Sequence, residues 1–288
     1  MHDTFFFFTD IHGMYDLYRA IMDFCNEQDP EAMIIFGGDA MDRGKDGYKI
    51  MKELLDNPKV VYLMGNHEDL FVKAAREIKE KFEFQDMERK EVRDTLYWTR
   101  SYDNKFINIQ NVLYNGGIET LTDWVMDGMP MDIIEKVENL PRTFSTDTCD
   151  FCHAAGVYET FKKVADAEYK GEKPDSYSAE SVVWTRSAFG YGWAPNRTAI
   201  FGHTPTPCLY EFMDVPVDMT DPYRWIGKFD ENKTGAKIDM DTGACFTGVA
   251  HVLNVLTMKA YGFEDTDVNS KEIRKHEIKK IGWISVLE

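Results

Sequence analysis

Three short apolar runs punctuate the first 65 residues, and each stops in the same kind of group. Phe5–Phe8 runs into Thr9-Asp10-Ile11-His12-Gly13, and Met33–Phe36 runs into Gly37-Gly38-Asp39-Ala40-Met41-Asp42-Arg43-Gly44. Val60–Met64 runs into Gly65-Asn66-His67-Glu68. Between them lie two segments of helical periodicity. Leu17, Ile21, Met22 and Phe24 share a face before Asp29-Pro30, and Ile50, Met51, Leu54 and Leu55 share another before Asn57-Pro58. Strand, helix, strand, helix, strand in so short a stretch predicts a parallel sheet with right-handed crossovers, and so an α/β fold. The carboxylate, amide and imidazole groups lie just past the strand ends, where open α/β sheets bind ligands. A strand ending in Gly-Gly-Asp gives up side-chain packing for close backbone approach. Taken alone, residues 36–44 also read as an acid-rich polar turn.

The rest of the chain is less regular. Leu70–Leu140 is charged and helix-favouring, and is predicted to be a helical insertion or cap within one domain spanning 1–288. A strand is predicted through Phe151-Cys152 to His153. The polar stretch Lys162–Ser181, with Gly171 and Pro174, reads as a surface loop, and order resumes at Val182-Val183-Trp184 before Arg186. Ala199-Ile200-Phe201 is a further strand ending in Gly202-His203-Thr204-Pro205. Lys237–Asp241, Val249–Leu256 and Gly282–Leu287 read as β structure.

Charge narrows the partners. With 50 acidic residues against 33 basic ones the formal charge is −17, which repels phosphate backbones and disfavours general nucleic-acid binding. A phosphorylated substrate remains compatible, because bound divalent cations reverse the sign locally. Five cysteines, odd in number and mostly in apolar surroundings, suggest reduced thiols. The start of the chain lacks the features of a signal peptide, and no apolar run approaches a membrane span, so a soluble, cytoplasmic protein is expected. No feature specifies an oligomeric state.

Collected in order, the groups at the strand ends are Asp10, His12, Asp39, Asn66, His67, His153 and His203. Carboxylate, imidazole and amide oxygen form the mixed ligand set that suits Mn, Fe and Zn, and the missing thiolates argue against a structural zinc. A lone histidine beside a strand is ordinarily a satisfied core or surface residue. Four following apolar runs are harder to explain that way. A dinuclear site needs one bridging carboxylate, and Asp39 lies at the central strand end. Two ions roughly 3.5–4 Å apart would clamp a phosphoryl group and generate a bridging hydroxide.

Asp10-x-His12-Gly13, Gly38-Asp39-x-x-Asp42-Arg43-Gly44, Gly65-Asn66-His67-Glu68, His153 and Gly202-His203 together resemble the ordered motifs of the calcineurin-like metallophosphoesterases. More narrowly they resemble the phosphoprotein phosphatases of phage and bacterial type. The resemblance reaches from the first strand to Asp241-Thr242-Gly243. It implies a metallophosphoesterase fold, two mixed β-sheets packed as a central sandwich flanked by helices. It implies Asp10, His12 and Asp39 on one metal, and Asp39, Asn66, His153 and His203 on a second, with manganese first and iron or zinc as alternatives. His67 would be the general acid, held and kept charged by Asp42. Arg43 would clamp phosphate, and Arg186 resembles a second phosphate arginine. Two departures stand out: Thr9 replaces a usual glycine, and Ala154-Ala155 follow His153 where a glycine is common.

The implied function is metal-dependent hydrolysis of phosphomonoesters by direct attack of the bridging hydroxide. Phosphoserine and phosphothreonine in proteins are the first choice of substrate, with a small phosphoester as the other. A symmetrical bis(5'-nucleosyl)-tetraphosphatase is the alternative; such enzymes tend to carry Asn at the place of Asp42 and Asp at that of Glu68. A catalytically silent binding module is a third reading, disfavoured by the complete set of ligands. Three further patterns are set aside: Cys149-x-x-Cys152-His153 as a haem motif, Asp241-Thr242-Gly243 as a protease motif, and Gly38–Lys45 as a phosphate loop.

Overall fold

The computed structural model describes residues 4–102, 105–154, 156–186, 192–208, 225–227, 236–266 and 278–285. Two mixed sheets face each other. The first has the order β11–β10–β9–β1–β2–β3, built from β1 (Phe5–Phe8), β2 (Met33–Phe36), β3 (Val60–Tyr62), β9 (Val249–Asn254), β10 (Lys259–Asp265) and β11 (Ile278–Ser285). Its first three strands are parallel and the rest antiparallel. The second has the order β4–β5–β6–β8–β7, with β4 (Thr143–Ser145), β5 (Cys149–Cys152), β6 (Thr198–Phe201), β7 (Trp225–Gly227) and β8 (Ala236–Asp239). Here β5, β6 and β8 run parallel between antiparallel edges. Of the strand expected over Gly282–Leu287, the last two residues lie outside the described residues.

The all-phenylalanine first strand follows from burial on both faces. Phe7 points between the sheets, 5.6 Å from the Phe151 ring, in a cluster with Ile35, Leu63, Ile200 and Ile238. Phe6 and Phe8 point the other way, onto Phe24 and Tyr18 of α1 (Tyr15–Gln28). A polar residue in this strand would therefore lose its hydration on either face. α2 (Gly47–Asp56) buries Ile50, Met51 and Leu54 on the same outer face.

From α3 (Asn66–Lys81) the chain is helical, through α4 (Arg89–Trp98), α5 (Ile107–Tyr114), α6 (Ile118–Met126) and α7 (Met131–Glu138). Their apolar stripes join the cluster that α1 and α2 bury, with Trp124 standing edge-on to Phe71 at 5.9 Å. One expectation is corrected. Lys162–Ser181 is not a surface loop but contributes to two helices, α8 (Tyr158–Tyr169) and α9 (Ser176–Trp184). Each buries few residues, Thr160, Phe161 and Val164 in one and Ser178, Val182 and Val183 in the other, so the composition reads as polar. Gly171, at φ +70°, and Pro174 form the turn between them, and Asp175 caps α9 by accepting from the Ser178 N–H at 2.9 Å. A short helix, α10 (Ala244–Thr247), precedes β9.

Candidate metal centre

The segments after β1 and β2 stay hydrogen-bonded past the strands. Asp10, His12 and Gly13 donate their N–H groups to the carbonyls of Gly38, Asp39 and Ala40 at 2.9–3.1 Å. The same happens in the second sheet, where Gly202 donates to the His153 carbonyl at 2.9 Å. The two sheets meet at Asp10, whose Oδ2 accepts from the His203 N–H at 3.0 Å. Strand ends from both sheets thus deliver their polar side chains to one place.

The backbone is strained there. Asp10, His12, Asp39, Asp42, Arg43 and His203 all have left-handed φ, between 43° and 72°. Each such non-glycine residue costs about 1–2 kcal/mol. Strain of this kind persists where the surroundings over-determine it, and it concentrates at functional sites. Gly65 shows how tight the approach is, since a Cβ there would overlap Asp39 Oδ1 and Glu68 Oε2.

Two groups of ligand-capable side chains share Asp39: His12, Asp39 and His67 in one, and Asp39, His153 and His203 in the other. The two carboxylate oxygens face opposite ways. Asp39 Oδ2 lies 3.6 Å from His12 Nε2, and Oδ1 lies 3.4 Å from His153 Nε2. Backbone carbonyls fix the imidazole tautomers. His12 Nδ1 donates to the Met41 carbonyl, His153 Nδ1 to the Gly37 carbonyl and His203 Nε2 to the Trp184 carbonyl, at 2.8–3.1 Å. That leaves lone pairs on His12 Nε2, His153 Nε2 and His203 Nδ1 turned inward. Asn66 Oδ1, also an acceptor, sits 2.9 Å from His153 Nε2 and 2.8 Å from His203 Nδ1.

Such a convergence of acceptors calls for positive charge, and the residues fit divalent cations on that ground. Protonation gives the same answer. Burial opposes charge on His153, but Asp39 and Asp10 push its pKa up to about 10. Burial would raise the Asp39 carboxyl, yet positive charge at His153 and His67 holds it well below the usual carboxylate range. Burial and the charge of His153 then hold His203 well below the ordinary imidazole value. Asp10 Oδ1 is buried with no hydrogen-bond partner, a carboxylate oxygen that a cation would satisfy.

Beside these groups His67 and Asp42, both fully buried, pair through Nδ1 and Oδ2 at 2.7 Å. Burial disfavours the imidazolium, but Asp39 and Asp42 outweigh it and raise the His67 pKa. Its other nitrogen lies 3.2 Å from Arg43 Nη2 and 3.8 Å from Asp39 Oδ2, so His67 is within reach of the first ligand group as well as of Arg43. Arg43 alone of this set is exposed, and its Nη1 donates to His12 Nε2 at 2.8 Å. The helical region grips this segment: Arg43 N–H donates to the Gly116 carbonyl at 3.0 Å, and Asp42 N–H to Thr120 Oγ1 at 3.1 Å. Arg186 is half-buried at the edge, with Nη1 donating to the His203 carbonyl at 2.9 Å.

A sequence model of the calcineurin-like phosphoesterases matches residues 4–207. The chain belongs to the calcineurin-like phosphoesterase family. The family depends on metal ions, and the enzyme is a phosphoester hydrolase. No curated protein matches the chain by sequence. Among solved structures, a cold-active protein tyrosine phosphatase shares 15% identity at a TM-score of 0.50, over 90% of this chain and 75% of that one. A candidate diadenosine tetraphosphatase shares 12% at 0.45, over 96% and 93%. A protein serine/threonine phosphatase from Saccharomyces cerevisiae, with similarity to human phosphatase PP5, shares 12% at 0.46, over 88% and 73%.

Within this phosphoesterase, three residues near the centre have contacts that the sequence did not reveal. Glu68 is a buried hub: Oε2 accepts from the N–H groups of Asp39 and Gly65, and Oε1 from the Ala40 N–H and the Tyr62 hydroxyl, at 2.7–3.0 Å. Burial and the nearby Asp39 push its pKa up to about 7. The signal was present in its position three residues after Gly65, the spacing of a capping box. Asp241, at the end of the β structure expected over Lys237–Asp241 and just past β8, is buried, and its Oδ1 accepts from the Gly243 N–H at 2.8 Å. Thr9 donates its hydroxyl to Asp10 Oδ2 at 2.6 Å. Of the second departure, Ala155 lies outside the described residues. The cysteines of the set-aside Cys149–Cys152 pattern point to opposite faces of β5, one into each apolar cluster, so they do not act as a pair.

Proposed function

We propose that the protein is a phosphomonoesterase acting on phosphoserine and phosphothreonine side chains of proteins. The observation that carries this reading is the buried His67–Asp42 pair beside the exposed Arg43. A serine or threonine alkoxide is a poor leaving group and needs a proton in the transition state, which a positioned acid supplies. A terminal nucleotide leaving from a polyphosphate is stable as an anion and has little need of one. An imidazole held charged by a buried carboxylate is therefore better matched to the alkoxide ester.

In this reading Asp10, His12 and Asp39 would hold one divalent ion, and Asp39, Asn66, His153 and His203 a second, with manganese first and iron or zinc as alternatives. Bound there, such ions supply Lewis-acid polarisation of the phosphoryl group and an activated water. Arg43 binds the non-bridging phosphate oxygens through its planar fork, and Arg186 assists from the His203 side. His67 gives its Nε2 proton to the departing oxygen while Asp42 holds Nδ1. Gly116 and Thr120 grip the Asp42–Arg43 segment, which supports reading 1–288 as one catalytic domain with 70–140 inserted into it. Free thiols at Cys25, Cys149, Cys152 and Cys245 are compatible with the reducing cytoplasm.

A substrate panel on manganese-loaded protein tests the assignment. Phosphoserine and phosphothreonine peptides are expected to give higher kcat/KM than diadenosine tetraphosphate or cyclic nucleotides. A higher value for the tetraphosphate would replace this reading with the dinucleoside one.

A further inference from the structure

Asp10 presents its two oxygens very differently. Oδ2 takes two donors, the Thr9 hydroxyl at 2.6 Å and the His203 N–H at 3.0 Å. Oδ1 is equally buried and takes none. The Thr9 hydroxyl has one proton and two acceptors in range, and the Gly38 carbonyl lies farther away at 3.4 Å. The short bond goes to the carboxylate, as expected for a charge-assisted contact. Thr9 itself is buried, in a slot shaped by two glycines. A Cβ on Gly37 would come within 2.7 Å of Thr9 Oγ1, and one on Gly202 within 2.5 Å of its methyl group. The hydroxyl therefore has little freedom to turn elsewhere.

We propose that Thr9 is a positioning residue that makes Asp10 a one-oxygen metal ligand, by occupying Oδ2 and leaving Oδ1 alone to face a divalent cation. The inference rests on the reading of Asp10 as a metal ligand. A carboxylate limited to one oxygen suits ions of compact coordination, such as Mn²⁺, over Ca²⁺, which accepts both oxygens of a carboxylate at longer distances. Thr9 thus bears on which ion the site retains as well as on how tightly.

The test compares Thr9→Val, which keeps the shape and removes the hydroxyl, with Thr9→Ser, which keeps the hydroxyl. Mn²⁺ and Ca²⁺ binding to metal-stripped protein is followed by equilibrium dialysis, with thermal unfolding of the stripped proteins alongside. Thr9→Val is expected to weaken Mn²⁺ binding by roughly tenfold or more, the usual cost of losing a partner that orients a ligand. Its preference for Mn²⁺ over Ca²⁺ should narrow, its metal-free unfolding midpoint should stay near that of the native chain, and Thr9→Ser should bind like the native chain. If Thr9→Val unfolds early, Thr9→Ala against Thr9→Ser decides in the same way. Native protein that binds Mn²⁺, with Thr9→Val binding it equally well or Thr9→Ser losing as much as Thr9→Val, overturns the Thr9 proposal alone. Native protein that takes up no metal overturns the ligand reading with it.

Discussion

The carboxyl ends of β1, β2 and β3 and those of β5 and β6 meet at one centre, yet they are built differently. The first sheet contributes Asp10, His12, Asp39, Asp42, Arg43, Asn66 and His67, from 58 consecutive positions. Five of those seven lie on left-handed backbone, and the Glu68 hub ties two of their loops together. The second sheet contributes two imidazoles, His153 and His203, each anchored by one ring nitrogen on a backbone carbonyl. One half carries the candidate carboxylate ligands, the candidate acid and Arg43; the other carries two imidazoles that face Asp39 and Asn66. Left-handed backbone is concentrated in the first half and recurs in the second at His203.

Asp39 joins the halves, so its replacement should break both. Asp39→Asn is expected to lower turnover by about 10³-fold or more, because several kcal/mol of metal-derived stabilisation are at stake, and metal analysis should show both ions weakened. His203→Ala touches only the second half. It should release one ion and keep the other, read as metal content per chain after dialysis, with a smaller loss of turnover than Asp39→Asn. Equal losses of both ions would mean that the halves do not bind separately.

The smallest effect concerns the support of the second sheet. Lys237 on β8 is buried, its Nζ donating to the Gly156 carbonyl at 3.3 Å and lying 5.3 Å from the centre of the Trp193 ring. Burial lowers its pKa to about 8. The folded protein therefore holds the proton less tightly than the unfolded chain, and the charged form costs stability below pH 8. As pH rises from about 8 towards the ordinary lysine value near 10.4 the unfolded chain binds more protons, and stability rises. Lys237→Met should stabilise the protein by about 1–2 kcal/mol at pH 7, after loss of the carbonyl and ring contacts. That gain should shrink between pH 8 and 10, as followed by chemical denaturation. A gain that is flat across this range would show that the folded and unfolded chains hold the lysine proton equally tightly, so that burial does not lower its pKa.

The same contrast explains what the sequence made legible. In the first sheet each candidate ligand follows its own apolar run within a few residues, so strand, turn and polar side chain read as one word. His153 and His203 were readable for the same reason, although 50 positions separate them. The partners of these groups were not. Glu68 reaches 29 residues back to Asp39, and Thr120 reaches 78 back to Asp42, through folding that no local pattern encodes. Thr9 read only as a departure from a usual glycine, yet its hydroxyl donates to the carboxylate next to it. Lys162–Ser181 was misread because a helix that buries three residues has too faint a stripe to stand out from its polar face.

The most direct measurement is on His67, because its Nε2 lies within reach of both Arg43 and Asp39. His67→Asn removes the acid and leaves the proposed ligands in place. Turnover of a phosphoserine peptide should fall by about 10²–10⁴-fold, and that of an aryl phosphate, whose leaving group needs less help, by clearly less. Metal content should stay at the two ions a dinuclear centre requires. Loss of an ion from this variant, with equal loss of turnover on both esters, would make His67 a ligand and contradict its role as the acid.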